Sequence, residues 1–149
     1  MPTSFRQTLY HIVFRTADSE PTLAIDHSEG LYRYIWGIVK NHNSHLYRIN
    51  GMDDHIHMLT DIHPTVALAT FIQSVKTASS LWLKQQPDFP NFRGWSAGYA
   101  ALTYSWKDKD MITNYIINQR EHHKKVSFMD EYRALLTEFG VKIDERYFP

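Results

Sequence analysis

The sequence predicts an α+β domain with a ferredoxin-like, RNA-recognition-type architecture: a βαββαβ antiparallel sheet with helices on one face, followed by two C-terminal helices. Two observations support this prediction. Segments with strand and helix patterns follow in the order strand, helix, strand, strand, helix, strand, and a turn with one glycine and two aspartates joins the middle strands. The 149 residues contain no repeat, low-complexity tract or linker, so residues 1–149 are expected to form one domain.

The first half of the chain predicts a strand, a helix and a hairpin. Residues 8–16 are β-branched and aromatic, which is typical of a strand. Residues 28–41 place apolar side chains at three- and four-residue steps, and Ser28 is a suitable helix cap. Residues 45–50 and 55–60 have strand composition and are separated by the glycine and aspartate turn, which predicts a hairpin.

The second half predicts the remaining elements of the domain. In order, they are a helix at 64–85, a loop with aromatic anchors at 87–94, a strand at 98–104, helices at 108–124 and 127–140, and an extended tail at 141–149. The longest helix is opened by Pro64 and repeats apolar residues at helical spacing. The last helix begins with a capping box from Ser127 to Asp130 and ends at Gly140.

The charge of the chain is balanced, with 16 basic and 16 acidic residues and a net charge of +0. This balance argues against a protein that coats nucleic acid by bulk charge. The charges are nevertheless unevenly placed, since residues 64–125 carry a net +4 and the segments on either side carry −2 each. We therefore expect modest, strongly salt-dependent binding to non-specific DNA.

The chain has no cysteine, which excludes disulfides, zinc fingers, iron–sulfur clusters and thiol nucleophiles. Its first residues lack the apolar core of a signal peptide, and no stretch approaches the length of a membrane span. We expect a cytoplasmic protein without a membrane partner.

A His-x-His pair lies in the third predicted strand. Because side chains alternate along a strand, His55 and His57 point to the same face and could share one metal ion. The alternative is a pair that is merely half-exposed on an open sheet face. Asp53, Asp54 and Asp61 could bind the same ion or orient the histidines, although Asp53 and Asp54 also suit a turn.

A polar stripe lies on the third predicted helix, at 108–124. Tyr115, Gln119 and His122 stand at i, i+4 and i+7, which puts a hydroxyl, an amide and an imidazole on one face. The alternative interpretation is an ordinary polar surface. Together with the histidine strand, the stripe suits phosphodiester chemistry, because a metal ion can polarise the phosphate and a tyrosine can conserve the bond energy in a covalent phosphotyrosine.

The chain resembles the single-tyrosine HUH transposases of the insertion-sequence-200-like family. The most specific parts are the His-hydrophobic-His strand at 55–57 and the Tyr-x-x-x-Gln helix at 115–119, in the correct order and separation. The resemblance covers nearly the whole chain and includes residues 51–57, 76–80, 98–99, 115–119, 122–125 and 127–132.

This resemblance implies a DNA transposase. His55, His57 and Gln119 would be the ligands of a divalent ion, Mg²⁺ or Mn²⁺, and Tyr115 would be the catalytic nucleophile that forms a 5′-phosphotyrosine with single-stranded DNA. The DNA partner would be the hairpin ends of a mobile element. A homodimer with composite active sites is also implied, because such proteins often supply the tyrosine helix to the other subunit.

Further residues are weaker candidates. His122 and Asp61 could orient the metal ligands. Contacts to DNA phosphates are expected from four basic residues, Lys76, Arg120, Lys124 and Lys125. Lys124 and Lys125 could instead be solvated charges that complement the end of a helix dipole.

The sequence departs from the family pattern at two places. Residues 16–18 are Thr-Ala-Asp where family members often carry cations, which puts tight DNA binding in doubt. Residues 95–96 are Trp-Ser where Trp-Gln is common, which bears on local packing or on a base contact.

Two other functions remain open: a non-catalytic or domesticated nucleic-acid-binding module with aromatic residues on an open sheet face, and a metal-dependent phosphodiesterase that uses water.

Overall fold

A four-stranded antiparallel sheet forms the centre of the computed structural model, which describes residues 4–148. The strands are β1 (Leu9–Arg15), β2 (His45–Gly51), β3 (His55–Asp61) and β4 (Ala100–Tyr104). Their order in the sheet is β2-β3-β1-β4, which places β1 and β3 at the centre. This arrangement confirms the predicted ferredoxin-like α+β fold. Residues 1–3, and Pro149 at the end of the predicted tail, lie outside the described residues.

Five α-helices surround the sheet within the described part of the chain. They are α1 (Ser28–Asn41), α2 (Leu68–Lys84), α3 (Lys109–Ile117), α4 (Gln119–His122) and α5 (Phe128–Glu138). Short 3-10 turns lie at Ala17–Ser19, Ile25–His27, Trp106–Asp108 and Glu145–Tyr147.

Several helix boundaries differ from the prediction. Ser28 is the first residue of α1 and not its cap, because its hydroxyl donates to the carbonyl of Ile25 at 2.8 Å, in the preceding 3-10 turn. The long helix begins at Leu68, after a turn that contains Pro64. The single helix predicted at 108–124 is divided at Asn118, whose φ and ψ of −90° and 14° interrupt the regular helix.

The two faces of the sheet are covered by different helices. Side chains such as Ile12 and Ile56 pack against α1 and α2 in the larger apolar cluster, as predicted for the first two helices. On the opposite face, Leu9 and Leu59 pack against α3, and Val13 packs against α5 and against Phe148 of the tail. The predicted extended tail therefore folds back in part, through its 3-10 turn. Both faces of the sheet are buried as a result.

Local details agree with the chemistry of the sequence. The hydroxyl oxygen of Ser127 accepts from the backbone N–H of Asp130 at 3.2 Å, which confirms the predicted cap of α5. Phe89 and Phe92 are buried, so they anchor the loop at 87–94. Gly51 ends β2 at a point where a Cβ atom would overlap the carbonyl oxygen of the first residue of β3. Among residues 4–148, no helix has both the length and the apolar composition needed to cross a membrane.

Candidate metal and nucleophile site

Three histidines from the central strands are buried on the face that α3, α4 and α5 cover. His55 and His57 of β3 share this face, as predicted, and each is 0% exposed, so the half-exposed alternative is wrong. His11 of β1 is also 0% exposed and stacks on His57 with ring centroids 5.0 Å apart. The rings are joined by a hydrogen bond of 2.8 Å between His11 Nε2 and His57 Nδ1.

The divided helix delivers the predicted tyrosine and glutamine to these histidines. Gln119 is 0% exposed, and its Oε1 lies 3.1 Å from His55 Nε2. The ring of Tyr115 lies 5.7 Å from the ring of His57. The structure therefore brings all four residues of the expected centre together within one chain.

A carboxylate that the sequence analysis missed lies at the centre of this group. Glu131, on the first turn of α5, is only 4% exposed. Its Oε2 accepts hydrogen bonds from the hydroxyl of Tyr115 and from Nε2 of Gln119, the latter at 2.9 Å. Its Oε1 lies 3.2 Å from His57 Nε2. Glu131 thus links the candidate nucleophile to the candidate metal ligands.

The two histidines at the end of α4, His122 and His123, differ in position. Nε2 of His123 lies 2.9 Å from both Glu131 Oε1 and Gln119 Oε1, inside the group. Nε2 of His122, the residue favoured by the sequence analysis, lies 3.4 Å from Glu131 Oε2, and its ring is 5.8 Å from that of Tyr115. His122 therefore lies at the border of the site, while the His123 imidazole lies inside it.

The donor atoms fit a metal ion. His55, His57, His123 and Glu131 each offer one ligand atom, and these atoms all lie within 4.8 Å of one another. Gln119 Oε1 lies in the same space, at hydrogen-bond distance from two of the imidazoles. Imidazole nitrogens together with carboxylate and amide oxygens are donors that divalent ions use in proteins.

Burial and the Glu131 carboxylate set the electrostatics of the site. Burial lowers the pKa of His57 to about 4 and brings the pKa of His11 well below its ordinary value. Burial opposes the charge of Glu131, but hydrogen bonds from His123 and His57 outweigh it and hold the pKa of the carboxyl well below its usual range. For His123, burial is outweighed by Glu131, which raises its pKa. Burial, reinforced by Glu131, raises the pKa of Tyr115, so this tyrosine keeps its proton.

Two of the weaker candidates lie away from the centre. Asp61 is at the opposite end of β3 from His55, where its Oδ1 accepts from Arg6 and Thr8, each at 2.5 Å. Lys76 of α2 donates to the backbone carbonyls of Ser96 and Gly98 at 2.8 and 2.9 Å, and these hydrogen bonds connect the loop before β4 to α2. The structure does not bring either residue to the histidines.

The other three basic candidates lie near the tyrosine segment. Arg120 donates to the Ser28 hydroxyl at 2.7 Å, which connects α4 to α1. Lys124 is exposed and pairs with Glu121 at 2.9 Å. Lys125 is exposed as well. Both lysines border the segment that carries His122 and could be reached by a phosphate backbone.

The two departures from the family pattern lie close together. The aspartate of residues 16–18 pairs with Arg93 at 3.2 Å, and Thr16 forms an isolated bridge with Trp95. Trp95 packs edge-on against Phe14, with centroids 4.7 Å apart, and donates its indole N–H to Ser79 at 3.0 Å. This tryptophan therefore contributes to local packing.

The three missed residues carried weak signals in the sequence. His11 belongs to a strand whose alternate residues are apolar on both faces, so a histidine there had to be buried with a partner. The i+7 spacing from Tyr115 favours His122, and no feature of the sequence favours the adjacent His123. Glu131 follows a helix cap, where an acidic residue is ordinary because it complements the helix dipole. Only the folding of α5 over the sheet distinguishes it.

Comparisons with known proteins agree with this fold. A candidate transposase from Deinococcus radiodurans is similar with 24% identity and a TM-score of 0.58, over 80% of this chain and 96% of that one. A REP-associated tyrosine transposase bound to a REP hairpin is similar with 11% identity and a TM-score of 0.62, over 84% of this chain and 76% of that one. At these identities the likeness shows a shared fold. No curated protein sequence matches the chain significantly.

The family model then identifies the chain more closely. The fold of the chain is shared with these two transposases. The model for IS200-like transposases matches residues 4–119, which is more than half of the chain, so the chain belongs to the IS200-like transposase family. This confirms the resemblance drawn from the histidine strand and the tyrosine helix.

Proposed function

We propose that this protein cleaves and rejoins single-stranded DNA through a 5′-phosphotyrosine on Tyr115. The observation that carries the proposal is that the hydroxyl of Tyr115 lies with two buried histidines and the Gln119 amide around one carboxylate, in a chain of the IS200-like transposase family. A hydroxyl nucleophile beside donors for a divalent ion is the arrangement that phosphoryl transfer requires.

In the proposed mechanism His55, His57 and Gln119 hold the ion, Mg²⁺ or Mn²⁺. When bound, this ion would polarise the scissile phosphate and offset the charge that develops on it. The hydroxyl of Tyr115 keeps its proton until its oxygen bonds to phosphorus, because only this bond makes the proton acidic enough to pass to Glu131, its hydrogen-bond acceptor. The bond from phosphorus to the 3′ oxygen breaks, and this oxygen leaves as a hydroxyl after it takes up a proton from solvent water, to which Glu131 in turn releases the proton that it received. Rejoining is the reverse of these steps.

The substrate of the proposed reaction is single-stranded DNA with a hairpin, as expected for the ends of a small mobile element. The similar REP-associated tyrosine transposase was solved bound to a REP hairpin, and the +4 charge of residues 64–125 suits a locally bound strand. Lys124 and Lys125 are the candidate phosphate contacts that border the site.

A change at Tyr115 tests the proposed function. Tyr115→Phe removes one oxygen and should abolish cleavage of a hairpin-containing single strand while it leaves binding of the strand unchanged. A non-catalytic binding module predicts no cleavage by the wild type. Such a module would also need an open sheet face, whereas helices cover both faces of the sheet in residues 4–148. Unchanged cleavage by the variant would contradict the mechanism. Cleavage without a protein–DNA adduct would favour a phosphodiesterase that uses water.

The proposal includes a homodimer with composite sites. In support, α3 leaves Met111 and Ile117 exposed, at 61% and 41%, beside the tyrosine. Tyr115 already lies beside its own His57, so a composite site would exchange α3 and α4 between subunits. Mixing Tyr115→Phe with His57→Ala chains tests this, because an exchanged dimer restores one intact site. If the mixture remains inactive, each tyrosine acts within its own chain.

A further inference from the structure

The imidazoles of His55 and His123 are held in the same way from outside the site. Nδ1 of His55 lies 2.7 Å from the carboxylate of Asp54, and Nδ1 of His123 lies 2.7 Å from the carbonyl oxygen of Val126. Carboxylates and carbonyls accept hydrogen bonds, so both Nδ1 atoms donate. In a neutral ring the lone pair is then on Nε2, which points into the site. An outer acceptor of this kind is the usual partner of a metal-binding histidine.

The atoms that face these lone pairs are also acceptors. Because Gln119 donates its Nε2 to Glu131, its Oε1 points toward the imidazoles and lies 3.1 Å from His55 Nε2 and 2.9 Å from His123 Nε2. Glu131 Oε1 lies 2.9 Å from His123 Nε2 and 3.6 Å from His55 Nε2. Such contacts between acceptors are favourable only when a proton or a metal ion lies between them.

The charge of the site gives an independent reason for a carboxylate ligand. His55, His57 and Gln119 are neutral donors, each 0% exposed, so an ion held by them alone would bring two positive charges into a buried space without a bound anion. Burying an uncompensated charge is costly. Glu131, 4% exposed, has an oxygen within 3.6 Å of three imidazole nitrogens. The single negative charge of Glu131 would offset half of the double positive charge of the ion.

We infer that His123 and Glu131 are direct ligands of the metal ion, beside His55, His57 and Gln119. This inference rests on the proposed metal site and extends it with residues beyond 4–119, the part of the chain that the family model matches. A set of three imidazoles and one carboxylate favours Mn²⁺ over Mg²⁺, because Mg²⁺ takes oxygen ligands. It also couples the ion to the docking of α5, which carries Glu131.

Calorimetric titration of Mn²⁺ into the full chain, freed of metal with a chelator, tests this assignment without reference to activity. We expect wild type to bind one ion per chain, and Glu131→Gln and His123→Phe to bind at least about 100-fold more weakly, beyond the loss found when only an outer partner is removed. The matched controls are Asp130→Asn, an exposed acid next to Glu131, and His45→Phe, an exposed histidine at the distal end of the sheet. Both should bind like wild type. Wild-type affinity in Glu131→Gln or His123→Phe would overturn the inference.

A second measurement needs no variant and so remains informative if a variant fails to fold. Pulsed electron paramagnetic resonance of Mn²⁺-loaded wild type, with ¹⁵N-labelled histidine, counts the imidazoles bound to the ion. Three imidazoles support His123 as a ligand, and two would overturn that role. If wild type binds no Mn²⁺, both this inference and the metal part of the proposed function are wrong. If wild type binds Mn²⁺ as expected but forms no covalent adduct with DNA, the proposed function is wrong while the inference about the metal ligands stands.

Discussion

The two faces of β3 are equally buried but chemically opposite. Ile56 and Met58 are 0% exposed and pack in the apolar cluster under α1 and α2. Their neighbours His55 and His57 are also 0% exposed but face a carboxylate, an amide and a tyrosine under α3 to α5. Burial of polar groups costs stability unless every group is paired. The comparison indicates that the face under α1 and α2 maintains the fold, while the part of the other face that carries His55 and His57, next to the apolar contact of Leu59, is kept for chemistry.

The largest expected effect separates these roles on the polar face. Loss of a ligand in His57→Ala should slow strand cleavage by about 1000-fold, because a bound metal ion contributes several kcal/mol to the stabilisation of phosphoryl transfer. Single-turnover cleavage of a labelled hairpin strand measures the rate, and circular dichroism confirms that the variant is folded. Cleavage at the wild-type rate would show that His57 is not a metal ligand required for cleavage.

At Met58, one residue further along β3, we expect the opposite pattern, a loss of stability without a loss of cleavage. Met58→Ala should lower the free energy of unfolding by about 2–5 kcal/mol, because it leaves a cavity in the apolar cluster. Urea denaturation measures this loss, and Leu81→Ala, at a position 59% exposed on α2, is the control with little change. While Met58→Ala remains folded, its cleavage rate should match that of wild type. A large loss of cleavage in the folded variant would show that the two faces are not separable.

A smaller effect is expected at His11, which touches His57 from the side away from Glu131. His11→Phe keeps a buried ring but removes the hydrogen bond to His57 Nδ1. We expect Mn²⁺ affinity to fall by about 10- to 100-fold, as for other outer partners of a metal-binding histidine. A change in unfolding free energy without a change in Mn²⁺ affinity would make His11 purely structural.

The smallest expected effect concerns charge outside both faces. If Lys125 contacts a phosphate, Lys125→Ala should reduce the salt dependence of binding to a random single strand by a slope of about 0.7. Fluorescence anisotropy at several salt concentrations measures this slope. Lys84→Ala, an exposed lysine at the end of α2, serves as the control and should leave the slope unchanged. Equal slopes for the two variants would show that Lys125 does not contact a DNA phosphate.

Much of the fold could be predicted from the sequence because its signals are local. Strand composition, helical periodicity and the Ser127 cap each depend on neighbouring residues, and they gave the correct element order. The break at Asn118 was not predicted, since the residues around it continue a helical pattern. It is a consequence of packing, because it lies where the chain turns to bury Gln119 against His55.

The candidate site could be predicted only where its residues share one predicted element. The spacing of His55 with His57 shows that both side chains lie on one face of a strand. The spacing of Tyr115 with Gln119 predicts the same for one helix, although the structure divides that helix at Asn118 between α3 and α4. His11 and Glu131 reach the same centre from β1 and α5, 46 and 74 residues from His57 in sequence. Spacing within an element carries no information about such long-range contacts.

Peptide mapping of a trapped protein–DNA adduct tests the central claim most directly. The wild-type chain is incubated with Mn²⁺ and a single-stranded suicide substrate whose leaving fragment diffuses away, then digested and analysed by mass spectrometry. The proposed function predicts one nucleotide-modified peptide, with the phosphate on Tyr115, and no adduct when a chelator is present. An adduct on another residue, or strand cleavage without any adduct, would contradict it.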